Sequence, residues 1–232
     1  MPIGRGRPAP IATPPPFERL GLSTEPFSRY EVAYPEIPAA HAATFLNAGA
    51  EAAEWRVAMD RDAGPAPNRL VPLEPAEDDA VPAEPVESVI LRRGSTRRFT
   101  NKSISFTQLS TILDRTNRSI TADFLTPSRT SLCDLYLIVN AVDGIPAGTY
   151  AYRPTYGGLE PLREGTFRQE AAALALGQEL AGEASVNLYY LTDLQRVVER
   201  YGDRGYRAAE LEGGIRGGKV YLAAYALRLG AT

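Results

Sequence analysis

Leu91-Arg92-Arg93-Gly94-Ser95-Thr96-Arg97-Arg98-Phe99 is the stretch whose reading decides the fold of this 232-residue chain. A short helical pattern from Val86 to Arg93 runs into Gly94, a residue that ends helices well. A serine hydroxyl follows, with guanidinium groups on both sides of it. This constellation suits a phosphate. Arg93 and Arg97 can each give forked, charge-assisted hydrogen bonds, and Ser95 adds a neutral donor. Gly94 lets the backbone come close to a ligand. Arginines at a helix end also favour the helix dipole while simply facing water, so the cluster alone leaves both readings open.

Downstream of this stretch the signals are those of a mixed α/β domain. Ser105-Phe106-Thr107-Gln108 reads as a capping box that opens a helix to about Arg115, with Leu109, Ile112 and Leu113 on one face. Leu135 to Val142 is an apolar, β-branched run too short for a helix, and reads as a buried strand. Gly148–Tyr152 and Leu159–Leu162 flank a turn at Thr155–Gly158, which predicts a hairpin. An alanine-rich helix is expected over Phe167–Leu180 and a strand over Ser185–Leu191. A short helix from Asp193 to Tyr201 and a long one from about Tyr206 to Leu229 complete the pattern. This order fits an α+β sandwich better than a doubly wound sheet.

Upstream, the composition is different. Fourteen of the 19 prolines lie in residues 1–84, so any helices or strands there must be short. One helix is expected from about Ala39 to Met59, with Phe45, Ala52, Trp55 and Met59 sharing a face. Residues 70–85 read as an extended acidic linker. The chain thus divides into a Pro-rich arm and linker, 1–84, and a folded domain, 85–232.

Bulk properties exclude several classes of function. One cysteine, Cys133, rules out an internal disulfide or a CxxC metal site, and one histidine, His41, removes most zinc and Ser-His-Asp chemistry. A net charge of −3 gives no reason to expect nucleic-acid binding. No apolar run approaches membrane-spanning length, and the N-terminus has no apolar signal core, which predicts a cytoplasmic protein. Hard chemistry in such a chain would come from a cofactor.

Taken in order, these motifs resemble the nitroreductase-like FMN flavoproteins, and most of all their SagB-type dehydrogenase branch. Arg93, Gly94, Ser95, Arg97 and Phe99 match the RxSxR-x-F signature that grips the FMN phosphate and ribityl chain. The helix Phe106–Asp114 follows where the family has one, and Thr126-Pro127-Ser128 resembles the segment that passes the isoalloxazine ring. Gly144–Tyr152 (GIPAGTYAY), Glu199–Arg207 (ERYGDRGYR), Leu211–Gly214 (LEGG) and Tyr221–Ala231 (YLAAYALRLGA) resemble the branch's own motifs. The resemblance implies an α+β nitroreductase-like fold, with a central, mainly antiparallel sheet flanked by helices. It implies FMN as cofactor and a homodimer with the flavin between subunits. It also implies oxidation of azoline rings in a ribosomally made peptide, with the precursor peptide and a cyclodehydratase as partners. The family runs several tens of residues past LGA, so the domain looks C-terminally truncated, and residues 1–84 match it poorly.

Four glycines within Glu212–Gly218 need a reason, since each costs about 1 kcal/mol inside a helix. Gly213 and Gly217, with Gly214 and Gly218, form stripes that admit a ring or a second helix, or else the helix is packed tightly in the core. The resemblance implies that backbone at Glu212 and Gly213, with Gly214, faces the flavin N5. Tyr201 is the candidate catalytic side chain. A neighbouring cation, Arg200, could lower its phenol pKa enough for proton transfer; the alternative is a buried aromatic with a satisfied hydroxyl. His41 reads as structural or exposed, Cys133 as unreactive beside Asp134, and Arg196, Arg200, Arg204 and Arg207 as a solvated helix face. Two other functions compete: an NAD(P)H-dependent nitroreductase or quinone reductase, and a flavin-free scaffold or binding subunit.

Overall fold

The computed structural model describes residues 18, 21–23, 25, 27–55, 66–118, 120, 122, 125 and 131–232. Its first elements are α1 (Glu36–Ala43), α2 (Gly49–Trp55), β1 (Val71–Pro72), α3 (Val86–Arg92), β2 (Ile104–Ser105) and α4 (Phe106–Asn117). After them come β3 (Asp134–Val139), β4 (Val142–Asp143), β5 (Gly148–Arg153), β6 (Gly158–Glu164), α5 (Arg168–Leu174), α6 (Glu179–Glu183), β7 (Val186–Leu191), α7 (Leu194–Tyr201) and α8 (Arg204–Ala226).

The β-branched run expected to be a buried strand is β3. It pairs antiparallel with β5 on one side and with β7 on the other. The predicted hairpin closes β5 onto β6, and β1 adds antiparallel to β6, giving a five-stranded sheet in the order β1-β6-β5-β3-β7. Successive side chains of β3 alternate between faces. Leu135, Leu137 and Val139 join Phe106, Leu109 and Leu113 of α4 in the main core, while Ile138 packs with Phe167 and Ala171 across the other face. Helices therefore flank the sheet, and the expected α+β architecture is observed.

The capping box at α4 is present: the Gln108 N–H donates to Ser105 Oγ and the Ser105 N–H to Gln108 Oε1, both at 3.0 Å. It orients the helix that supports the sheet. Two expected helices are each broken. Phe167–Leu180 becomes α5 and α6, because Leu176 and Gly177 both take left-handed backbone (φ +59° and +77°). The Ala39–Met59 helix becomes α1 and α2. The first ends at Thr44, whose hydroxyl donates back to the Ala40 carbonyl, and Phe45 is exposed in the gap. Met59 lies outside the described residues.

The acidic stretch read as a linker is pinned along its length. Val71 pairs with Leu159, the Ala76 N–H donates to Thr111 Oγ1, Asp78 meets Arg115, and Glu84 meets Arg92. The sheet takes its first strand from this stretch, ahead of the composition change near residue 84. Among the described residues no helix is long and apolar enough to cross a membrane, and no cluster of His, Cys, Asp and Glu could hold a metal.

Candidate active site

α3 ends at Arg92, and Arg93 already has extended backbone (φ −62°, ψ 142°). The helix end therefore does not use a left-handed glycine, and Gly94 lies open, with nothing within 4 Å of the Cβ it lacks. The loop that follows is tied to the end of α8. The Tyr221 and Tyr225 hydroxyls both donate to the Gly94 carbonyl, at 2.8 and 2.6 Å, and the Thr96 N–H donates to the Ala231 carbonyl at 2.9 Å. Ser95 Oγ lies 2.7 Å from Thr232 Oγ1. Arg92 is already committed, to the Glu84 carboxylate and to the Tyr225 carbonyl. Arg93 sits 5.6 Å over the Tyr221 ring. Among the described residues neither Arg93 nor Arg97 has a carboxylate partner, and both are exposed. That donor set is chemically matched to an anion.

A groove of about 860 Å³ opens beside this loop, within the size range of cofactor pockets. Thr96, Phe99, Tyr190, Gly217, Val220 and Tyr221 are among its walls. β7 supplies one side and is one of the two edge strands of the sheet among the described residues.

Further along α8, Glu212 is fully buried and points inward. Its Oε1 accepts from Ser131 Oγ (2.6 Å) and Arg216 Nε (2.7 Å), and its Oε2 accepts from the Leu132 N–H (2.6 Å). Arg216, 6% exposed, also donates to Asn117 Oδ1 at 3.1 Å. The pair thus staples α8 to the segment before β3 and to the end of α4. The glycines face the other way. Added Cβ atoms on Gly213, Gly214, Gly217 or Gly218 would meet nothing within 4 Å, so tight core packing does not account for them. Beside them Leu211 is 53% exposed and Ile215 36%.

Tyr201 and Arg200 end α7, at the opposite end of α8. Tyr201 is 4% exposed and clusters with Leu125, Leu132, Val197, Ala208 and Ala209. Trp55 covers this corner, donating to the Tyr201 carbonyl at 2.8 Å, and the Arg204 guanidinium lies 5.3 Å over its ring. Burial pushes the Tyr201 phenol pKa up, and the opposing pull of Arg200 is smaller. The expected lowering is therefore corrected: desolvation outweighs the neighbouring cation. Arg204 and Arg207 are not a solvated face either, since they donate to the Thr44 and His41 carbonyls of the N-terminal helices. Burial also raises the Cys133 thiol pKa, with Asp134 a minor cause.

The structure thus brings Arg93, Gly94, Ser95 and Arg97 together at one end of α8, puts Gly213 and Gly214 midway, and buries Tyr201 at the other end. At 1.5 Å per residue, Gly213 lies about 18 Å along the helix from Tyr225 and about 14 Å from Arg204. Pro127 and Ser128 lie outside the described residues. Sequence reasoning missed the roles of Arg216, Tyr221, Tyr225 and Trp55. The first had a local signal, a Glu–Arg pair at i, i+4 in a helix. The others act on residues far away in the chain.

Comparison with known proteins places the chain in a family. The protein is 28% identical over 155 residues to MJ1384 of Methanocaldococcus jannaschii, which carries a nitroreductase name, covering 63% of this chain and 76% of that one. It is 30% identical over 138 residues to the trifolitoxin operon protein TfxC of Rhizobium leguminosarum bv. trifolii, covering 51% of this chain and 39% of that one. A crystal structure from Anabaena variabilis, also carrying a nitroreductase name, superposes with a TM-score of 0.57 at 32% identity, over 62% of this chain and 31% of that one. The chain thus spans well under half the length of the last two. The nitroreductase family description matches residues 90–232, which include the arginine loop, the sheet from β3 onward and all of α8. With more than half of its length inside that match, the chain belongs to the nitroreductase family.

Proposed function

We propose that this protein is an FMN-dependent oxidoreductase that holds the FMN phosphate with Arg93, Arg97 and Ser95. One observation carries the reading. Two exposed arginines flank Gly94-Ser95 with no carboxylate among the described residues to neutralise them, whereas the adjacent Arg92 is bound to Glu84. The glycine face of α8 has room for a flat ring, with Gly213 and Gly214 as its neighbours. When bound, FMN supplies two-electron chemistry, taking up or releasing a hydride.

For substrates we assign a reduced nicotinamide and a small aromatic nitro compound or quinone, in the cytoplasm. Family membership supports this assignment. Tyr201, with Arg200 beside it, is the residue we assign to the proton transfer. A second copy of the chain, forming a homodimer, would cover the exposed Leu211 and Ile215 beside the glycines.

Azoline dehydrogenation in a ribosomally made peptide is the second reading. It is favoured by the Gly144–Tyr152 hairpin, the Glu199–Arg207 segment and the similarity to TfxC. In that reading the precursor peptide and a cyclodehydratase are the partners, and Tyr201 is the base.

Titrating the purified chain with FMN while recording visible spectra tests the shared core of both readings. Binding near 1:1 is expected, with affinity falling at least about 100-fold when Arg93 and Arg97 are both changed to Ala, since charge-assisted bonds contribute about 1.5–3 kcal/mol each. Turnover of NADPH with a nitroaromatic would then favour the reductase, and slow oxidation of a peptide azoline the dehydrogenase. A well-folded protein without FMN affinity would overturn both and leave a flavin-free binding subunit.

A further inference from the structure

The Gly94 carbonyl receives two hydroxyls at once, from tyrosines spaced four residues apart on α8. The Tyr221 and Tyr225 rings are stacked, with centroids 5.8 Å apart and planes 12° apart, which brings both phenols to the same oxygen. Thr96 Oγ1 lies 3.1 Å from the Tyr225 hydroxyl, and the Thr96 N–H is bonded to Ala231. The loop is therefore held on both sides of Ser95. Such an arrangement is more than the loop needs to satisfy one carbonyl.

We propose that Tyr221 and Tyr225 are positioning residues that set the Arg93–Arg97 loop for a phosphate monoester; the inference rests on the FMN reading above. The peptide between Gly94 and Ser95 is planar and trans, so its C=O and N–H point in opposite directions. Fixing the carbonyl towards α8 turns the Ser95 N–H away from the helix, where it has no partner among the described residues. A loop free to rotate would instead present the negative end of that carbonyl to an incoming phosphate. The same contacts hold Arg93 over the Tyr221 ring, 5.6 Å from its centre, which limits where the guanidinium can swing. The two phenols thus convert a flexible glycine into a rigid donor site, and they do so without touching the ligand.

FMN and riboflavin differ only in the phosphate, so their affinity ratio isolates this effect. The experiment measures dissociation constants for both ligands by flavin fluorescence, using the full chain, Tyr221→Phe, Tyr225→Phe, the double variant, and Arg93→Ala/Arg97→Ala. Phenylalanine keeps the stacked rings, and thermal melting checks that each variant is folded. In the double tyrosine variant FMN affinity is expected to fall about tenfold or more while riboflavin affinity changes less than about twofold. An unchanged FMN-to-riboflavin ratio, or an equal loss for both ligands, overturns the positioning role. If the parent chain shows no preference for FMN, the phosphate reading itself fails. If the arginine variant loses the preference and the tyrosine variants keep it, only the positioning role falls.

Discussion

Changing Arg216 to Met should be among the most damaging single substitutions in the domain. The Glu212 carboxylate is fully buried, and among the described residues Arg216 is its only cation at bonding distance, 2.7 Å from Oε1. Methionine would fill most of the space but leave a buried carboxylate held only by Ser131 and the Leu132 N–H. Removing one member of a buried ion pair costs about 3–5 kcal/mol. For a chain of this size each kcal/mol lowers Tm by about 2–4 °C, so a fall of about 6–20 °C is expected. The informative comparison is the double variant Glu212→Leu/Arg216→Met. With both charges gone, the Ser131 hydroxyl can turn to the Cys133 carbonyl, 2.6 Å away, and the Leu132 N–H is the main group left without its acceptor. That orphan costs about 1–3 kcal/mol. The double variant should therefore be more stable than Arg216→Met and than Glu212→Leu, although it carries one more substitution than either. Urea unfolding followed by circular dichroism at equal m-values would measure all three. If the double variant loses about the sum of the two single losses, the cost does not come from an unpaired buried charge and the reasoning is wrong.

Three further outcomes follow from the same geometry. Ser105→Ala removes the acceptor for the Gln108 N–H at the start of α4 and should cost about 1 kcal/mol, read as a Tm fall of about 2–4 °C; no change would mean that the box does not hold the helix. Gly205→Ala places a Cβ 2.8 Å from the Val197 carbonyl and 2.9 Å from Tyr201 Cβ, so it should lose about 1–3 kcal/mol and perturb Trp55 fluorescence through the Tyr201 corner. Burial pushes the Tyr190 phenol up to about 12, from about 10 in an unfolded chain. Since the folded state holds that proton more tightly, this contribution is intact below pH 10 and is lost as pH rises towards 12. Tyr190→Phe should therefore lose less stability than the parent across that window in urea titrations at stepped pH, and equal losses would refute the assignment.

Much of the fold was legible because its signals are local. The Ser105–Gln108 box needs only four residues, and the β5–β6 hairpin announces itself through its turn. Alternation across Leu135, Leu137 and Val139 showed a strand, and i, i+4 spacing showed the helices. Local signals failed where one residue's backbone decided the outcome. Leu176 and Gly177 in left-handed backbone break the run after α5; Gly177 was a visible signal, but the alanine-rich pattern around it read as one helix. The break at Thr44 likewise falls inside a pattern that reads as one helix. Residues 70–85 looked like a linker because acidic, proline-rich composition is the same whether or not a chain is bonded to a sheet edge.

The sequence by itself determined the arginine–glycine–serine loop and the strands and helices around it. Those depend on residue type and on spacing within a few positions. Only the tertiary structure decided that Arg92 is paired with Glu84, that Glu212 turns inward to Ser131 and Leu132 while its neighbouring glycines face open space, and that Tyr201 lies buried under Trp55. It also decided that two tyrosines meet at Gly94, 127 and 131 residues away. Each of these depends on which distant segments are brought together, and on how much water is excluded when they meet. Burial then sets whether a neighbouring cation can lower a phenol's pKa, and at Tyr201 it cannot.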